Sequence, residues 1–167
     1  MYGDCGKCSS LSFCERGRTM EEQKYVPLIK LKMIKIRELP YTWEKLNRPD
    51  KVAEFAMQLL EGADKEHLMV ISVSAKCRPL AFEIVSIGSV DSAFVVPREV
   101  FKHAIVNNAV GILLVHNHPS GDCKPSEDDL CITERIRKAG DLLGIQVFDH
   151  VIIGEGNFYS FREQRKI

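Results

Sequence analysis

The sequence predicts a mixed α/β or α+β sandwich. Apolar runs of strand length alternate with stretches of helical periodicity. The composition, 45% hydrophobic and 28% charged, is that of a chain that builds an ordinary core, and 167 residues suit one domain with a short extension. The longest uninterrupted apolar run, from Val110 to Val115, is strand length, far below the roughly 18 residues of a membrane span. Disordered, collagen-like and coiled-coil readings are set aside on the same grounds.

Residues 1–37 differ from the rest. They hold eight basic and four acidic residues, a local balance of +4 in a chain whose formal net charge is zero. They read as a mobile N-terminal extension, with no apolar periodicity before about Val26. Met20 and Met33 are alternative starts. Val26, Leu28, Leu31, Ile34 and Ile36 alternate loosely, which marks an edge strand over 26–37. Asp50 then precedes Val52, Ala53, Phe55, Ala56, Leu59 and Leu60, spaced for one helix face and stopped by Gly62. Leu68–Val73 is a strand. Cys77-Arg78-Pro79 turns the chain into a second strand, Leu80–Ile87. Pro97 opens a helix whose stripe is Val100, Phe101, Ala104 and Ile105, running to about Asn108. Val110–Val115 is a buried strand. Ser126 caps a helix carrying Leu130, Ile132, Ile136, Ala139, Leu142 and Leu143, ended by Gly144. Ile145–Ile153 is the last clear strand, with a short one over Phe158–Phe161.

The chemistry concentrates between His116 and Asp129. His116 and His118 lie two apart where the buried strand ends, so its period puts both rings on one face. Two imidazoles on one face form half of a zinc site. The loop with Pro119, Gly121 and Pro125 lets the chain return, and Asp129, one turn into the next helix, can add a carboxylate. Two His and one Asp leave one tetrahedral position open, the mark of a catalytic rather than a closed site. Each part also has a plain structural reading. A lone His-x-His pair is a weak signal, and Ser126-x-x-Asp129 is also an ordinary capping box.

Together, Glu83, His116-x-His118 and, seven residues on, Ser126-x-x-Asp129 resemble the JAMM metalloprotease signature of the MPN/JAB superfamily. The string HNHPSGD, the flanking VPREVFKHAI and the later DHVIIG are similar to the RadC-like branch, over about residues 66–163. Residues 38–167 are therefore assigned to one JAB/MPN domain. The resemblance implies a mixed β-sheet flanked by helices, related to the cytidine-deaminase-like fold. It also implies a zinc hydrolase that cleaves amide or isopeptide bonds. A zinc deaminase needs His-x-Glu followed by Pro-Cys-x-x-Cys, which this sequence lacks. Residues 1–48 also lack the Gly-rich helix-hairpin-helix pattern that RadC-like proteins usually carry.

In this reading His116, His118 and Asp129 hold Zn²⁺, which brings the pKa of a bound water toward about 7. The family match makes Glu83 the base that takes the water's proton and returns it to the leaving amine. Its strand neighbours Ala81, Val85 and Ile87 are apolar, so burial raising its pKa would suit that exchange; the alternative is an edge-strand Glu in solvent. Ser126 is an N-cap and, by resemblance, a stabiliser of the tetrahedral oxyanion. A cap alone would tolerate Ser126→Asp. His150 reads as a structural or supporting group rather than a ligand. Asn117, Ser120 and Asp122 shape the loop.

Cys5, Cys8 and Cys14 fall short of the four ligands of a structural zinc site and are assigned to the tail. With no secretory signal visible, the six cysteines are expected to stay reduced in the cytoplasm. The expected partner is a protein or peptide substrate. Zero net charge argues against nucleic acid, for which only the basic 1–37 segment speaks. A non-catalytic adaptor and a DNA-repair accessory protein are the competing functions; all five motif residues are intact, which favours the enzyme.

Overall fold

The computed structural model describes residues 25–42, 45–60, 62–88 and 95–167. The chain divides into two units, Met1–Leu31 and Lys32–Ile167. Every helix and strand among the described residues lies in the second. Cys5, Cys8 and Cys14 fall outside the described residues.

The elements run α1 (Pro49–Leu60), β1 (His67–Val73), β2 (Pro79–Ile87), α2 (Pro97–Val106), β3 (Gly111–Asn117), α3 (Glu127–Leu143), β4 (Gln146–Ile153) and β5 (Phe158–Ser160). The sheet order is β2-β1-β3-β4-β5. β3 and β4 are parallel, joined by the α3 crossover, and every other pair is antiparallel. This is the mixed sheet flanked by helices that the resemblance implied.

Sequence pattern explains the layers. β3 is buried along its whole length and β1 everywhere but His67, so both read as continuous apolar runs. Their alternate residues feed two cores. Met69, Ile71, Val73, Leu113 and Val115 pack with Val52, Phe55, Ala56 and Leu60 of α1. Leu68, Val70, Ile112 and Leu114 pack on the opposite face with Phe101 and Ala104 of α2 and Ile132 and Ile136 of α3. Each fully buried Leu or Ile contributes roughly 1.5–3 kcal/mol by leaving water.

One irregularity in β4 bears on everything that follows. Ile112 pairs with Val147, but Leu113 pairs with Asp149, so Phe148 is an extra residue in the ladder. Without this irregularity Phe148 would pair with Leu113, and the period of two would put His150 beside Val115, on the α1 face. With it, His150 pairs with Leu114 and faces α3, as His116 does.

The edge strand expected over 26–37 does not form: residues 25–42 carry no regular structure. Val26, Leu28 and Ile36 are each at least 95% exposed. The alternation is present, but these residues form no ladder with another strand among the described residues, and a strand is stable only when its backbone groups are paired. Elsewhere the shifts are small. α2 ends at Val106, where Asn107 caps it, and β3 runs from Gly111 to Asn117 rather than from Val110 to Val115.

Candidate metal centre

β3 delivers His116 at its C-terminal end, fully buried, and Asn117 fastens that end. The Asn117 amide donates to the Lys65 carbonyl (3.0 Å) and accepts from the His67 amide (2.9 Å). His118 is the first residue past the strand, and its backbone N–H still bonds the Ile153 carbonyl at 2.9 Å. The following loop is held against the β4–β5 turn. Glu155 donates to the Gly121 carbonyl at 2.9 Å. The fit is close at Gly154, where a Cβ would sit 2.3 Å from the Gly121 carbonyl oxygen.

Ser126 starts α3 as an N-cap in extended conformation, with a complete capping box. Its Oγ accepts from the Asp129 amide at 3.1 Å. Asp129 Oδ2 accepts both the Ser126 amide and the Ser126 hydroxyl, each at 2.7 Å. The carboxylate is thereby fixed through one oxygen, and Oδ1 turns to His116, 3.1 Å from its Nε2. His116 Nε2 and His118 Nε2 are 2.9 Å apart. His118 Nε2 is 3.5 Å from Asp129 Oδ2.

His116, His118 and Asp129 each offer a ligand atom, and these atoms lie within 4.8 Å of one another. The donor set fits a divalent cation. His118 Nδ1 lies 2.6 Å from the Asp122 carbonyl, which can only accept, so that nitrogen carries the proton and Nε2 presents a lone pair in the neutral ring. Imidazole and carboxylate at three corners match zinc.

The electrostatics agree. Burial alone would push the Asp129 carboxyl up, but hydrogen bonds from His116, His118 and Ser126 outweigh it and hold the group well below the usual carboxylate range. The Asp129 carboxylate raises His118 above the ordinary imidazole value against the opposing effect of burial. The site therefore favours positive charge between its donors.

Glu83 stands apart from the cluster. Its register row runs through Val70, Leu114 and His150, on the α2–α3 face that also holds His116. However, β2 is the outer strand, and Glu83 is exposed. The burial anticipated from its apolar neighbours is absent, because an outer strand shares its sides with solvent.

His150 is a supporting group by position. It is fully buried, stacks on Phe161 with centroids 4.8 Å apart, and places Nε2 2.9 Å from His116 Nδ1. Asp149 does not touch that ring's nitrogens. Its carboxylate accepts from the Ser160 hydroxyl (2.6 Å) and from the Arg162 amide (3.0 Å), closing the chain over β5. The sequence reading overlooked Thr133. The signal was available: a hydroxyl four residues after Asp129, inside the apolar stripe of Ile132 and Ile136.

A cleft of about 490 Å³ opens beside the loop, lined by Asp64, Lys65, Glu66, Gly88, Pro119 and Ser120. Among the described residues no helix is long and apolar enough to cross a membrane.

A model of the RadC-like JAB domain family matches residues 46–166. The chain is 44% identical over 119 residues to a UPF0758 protein of Desulfitobacterium hafniense, covering 71% of this chain and 52% of the relative. It is 47% identical over 116 residues to one from Caldanaerobacter subterraneus, covering 70% and 50%. With one from Clostridium acetobutylicum it shares 42% identity over 120 residues, covering 72% and 52%. The chain thus spans about half the length of the curated relatives it matches.

Proposed function

This chain belongs to the RadC-like JAB domain family, and from that premise we propose that it is a zinc-dependent hydrolase of amide bonds, of peptidase or isopeptidase type. The observation that carries the reading is the convergence of His116 Nε2, His118 Nε2 and the Asp129 carboxylate at the end of β3. Zinc, when held there, would supply a Lewis acid and bring a water's pKa toward neutrality.

The chain's own residues supply the rest. Glu83 takes the proton of the attacking water and returns it to the leaving amine. Its exposure on β2 leaves it free to meet a substrate on the α2–α3 side of the sheet. The Ser126 hydroxyl serves the developing oxyanion by turning from Asp129 Oδ2; the Ser126 amide stays on that oxygen and keeps the carboxylate oriented. The cleft by Lys65, Glu66 and Ser120 seats a protein or peptide segment next to His118. Asp64 and Glu66 there disfavour a polyanion such as nucleic acid.

The test has two parts. Zinc should be present at about one per chain and absent from a His116→Ala/His118→Ala double variant. Glu83→Gln should keep the zinc while cleavage of a quenched peptide library falls roughly 10²–10⁴-fold, the range for a general base. A non-catalytic binding role is the second reading, favoured by Glu83 lying outside the His116–His118–Asp129 group. Wild-type protein that holds zinc and cleaves nothing would select it.

A further inference from the structure

The hydrogen bonds behind His116 form a chain that ends on Asp129 itself. His116 Nδ1 meets His150 Nε2 at 2.9 Å. His150 Nδ1 meets Thr133 Oγ1 at 2.6 Å. Thr133 Oγ1 in turn lies 2.5 Å from the Asp129 carbonyl. All the intermediate groups are buried, so each proton on this chain has one destination and no water to exchange with.

Proton counting makes the chain directional. If His116 Nε2 holds a metal, its proton sits on Nδ1 and is donated to His150 Nε2. Among the described residues no carboxylate touches the ring nitrogens of His150, so the buried ring is neutral and its proton is on Nδ1. Thr133 must then accept with its oxygen and send its single hydroxyl proton to the Asp129 carbonyl, which can only accept. The distances satisfy every link in this sense. The reverse sense, with Thr133 donating to His150, ends with a proton on His116 Nε2, where it blocks the ligand position.

We propose that Thr133 and His150 are positioning residues that select the metal-binding tautomer of His116 and lock it to the helix carrying the third ligand. The inference rests on the metal reading above and deepens it. The relay joins β3, β4 and α3 into one closed circuit, so the two ligands most distant in sequence, His116 and Asp129, are set by the same hydroxyl. The same logic explains why position 133 carries Thr. The site has room for a β-branched side chain among Ile132 and Ile136, and only the hydroxyl distinguishes it from Val.

The experiment compares the full chain with Thr133→Val and Thr133→Ser. Zinc affinity is measured by competition with a chromophoric chelator, and histidine tautomers are read by ¹⁵N NMR of the zinc-loaded protein. Thr133→Val keeps the shape and removes the acceptor, so zinc binding should weaken roughly 10–100-fold, the usual effect of losing a ligand's supporting partner. Thr133→Ser restores the oxygen and should stay within about threefold of wild type. In wild type, His116 and His150 should both carry their protons on Nδ1. Equal zinc affinity in wild type and Thr133→Val overturns the relay while leaving the metal centre intact. A wild-type chain that holds no zinc overturns the metal reading, and the inference with it. If Thr133→Val does not fold, the wild-type spectrum decides: an Nε2 proton on His150 refutes the proposal.

Discussion

Replacing Ser126 with Asp separates helix capping from the electrostatics of the site. Asp caps a helix about as well as Ser, so capping alone would leave stability unchanged. The geometry says otherwise. Ser126 Oγ lies 2.7 Å from Asp129 Oδ2 and donates its proton to it. A carboxylate at 126 loses that donated bond and places a second negative charge about 4 Å from the first. At that distance two unit charges repel by about 4 kcal/mol at an effective dielectric of 20 and by about 1 kcal/mol in bulk water. Position 126 is exposed and Asp129 is buried, so a value near 2 kcal/mol is expected for the metal-free protein. Asn caps equally well, carries no charge and serves as the control. The assay is urea unfolding of wild type, Ser126→Asp and Ser126→Asn at neutral pH, with EDTA present. The deficit of the Asp variant should shrink toward pH 4 as the added carboxyl protonates, and should shrink with zinc added. A Ser126→Asp protein as stable as wild type without metal would refute the reasoning and reduce the Ser126–Asp129 contact to a cap.

Three further outcomes follow from the same structure. Gly154→Ala should destabilise by about 1–3 kcal/mol, because its Cβ would press on the Gly121 carbonyl, and should weaken zinc binding by displacing the loop behind His118; calorimetry and chelator competition check both. His103 is pushed down to about 4, chiefly by burial with Lys102 adding to it, and its Nε2 has no partner among the described residues. Its folded value lies below the unfolded one, so the unfolded chain binds the proton first: its stabilising effect is complete above about pH 6.5 and is lost as pH falls toward 4, about 3 kcal/mol in all. His103→Gln should remove that part of the acid sensitivity in urea titrations; an unchanged pH profile would contradict it. Glu83→Gln should leave the unfolding midpoint unmoved, since the side chain is exposed, whatever it does to activity.

Local features were legible in the sequence because local physics sets them. Ser126 caps α3, and Gly144 ends it in the left-handed conformation at φ 68°. The period of two brought His116 and His118 together, and one helical turn placed Asp129 opposite them. Features set by tertiary context were not legible. The alternation over 26–37 resembles a strand but has no neighbour to pair with among the described residues. The apolar company of Glu83 suggested burial, yet exposure depends on β2 being the outer strand, which no local pattern encodes. Thr133 was hidden for the opposite reason: in an apolar stripe a β-branched residue looks like core, and its hydroxyl gains meaning only beside His150. The face that His150 adopts depends on the irregularity at Phe148, and one extra residue leaves no mark in composition.

That irregularity makes β4 a matter of parity. A regular strand sorts odd and even positions onto opposite faces, so the adjacent residues Asp149 and His150 could have been assigned either way. Apolar neighbours do not choose between the assignments, since Val147, Val151 and Ile153 find cores on both sides of the sheet. The choice falls to Phe148, whose ring lies over Gly111 in space that a side chain there would occupy. A β4 that ran on regularly, with Phe148 opposite Leu113, would therefore transpose the pair. The imidazole would move to the α1 side and the carboxylate to the site, in a strand of the same sequence. Fold and chemistry are encoded separately here, and a slip of register by one residue can erase the second while sparing the first.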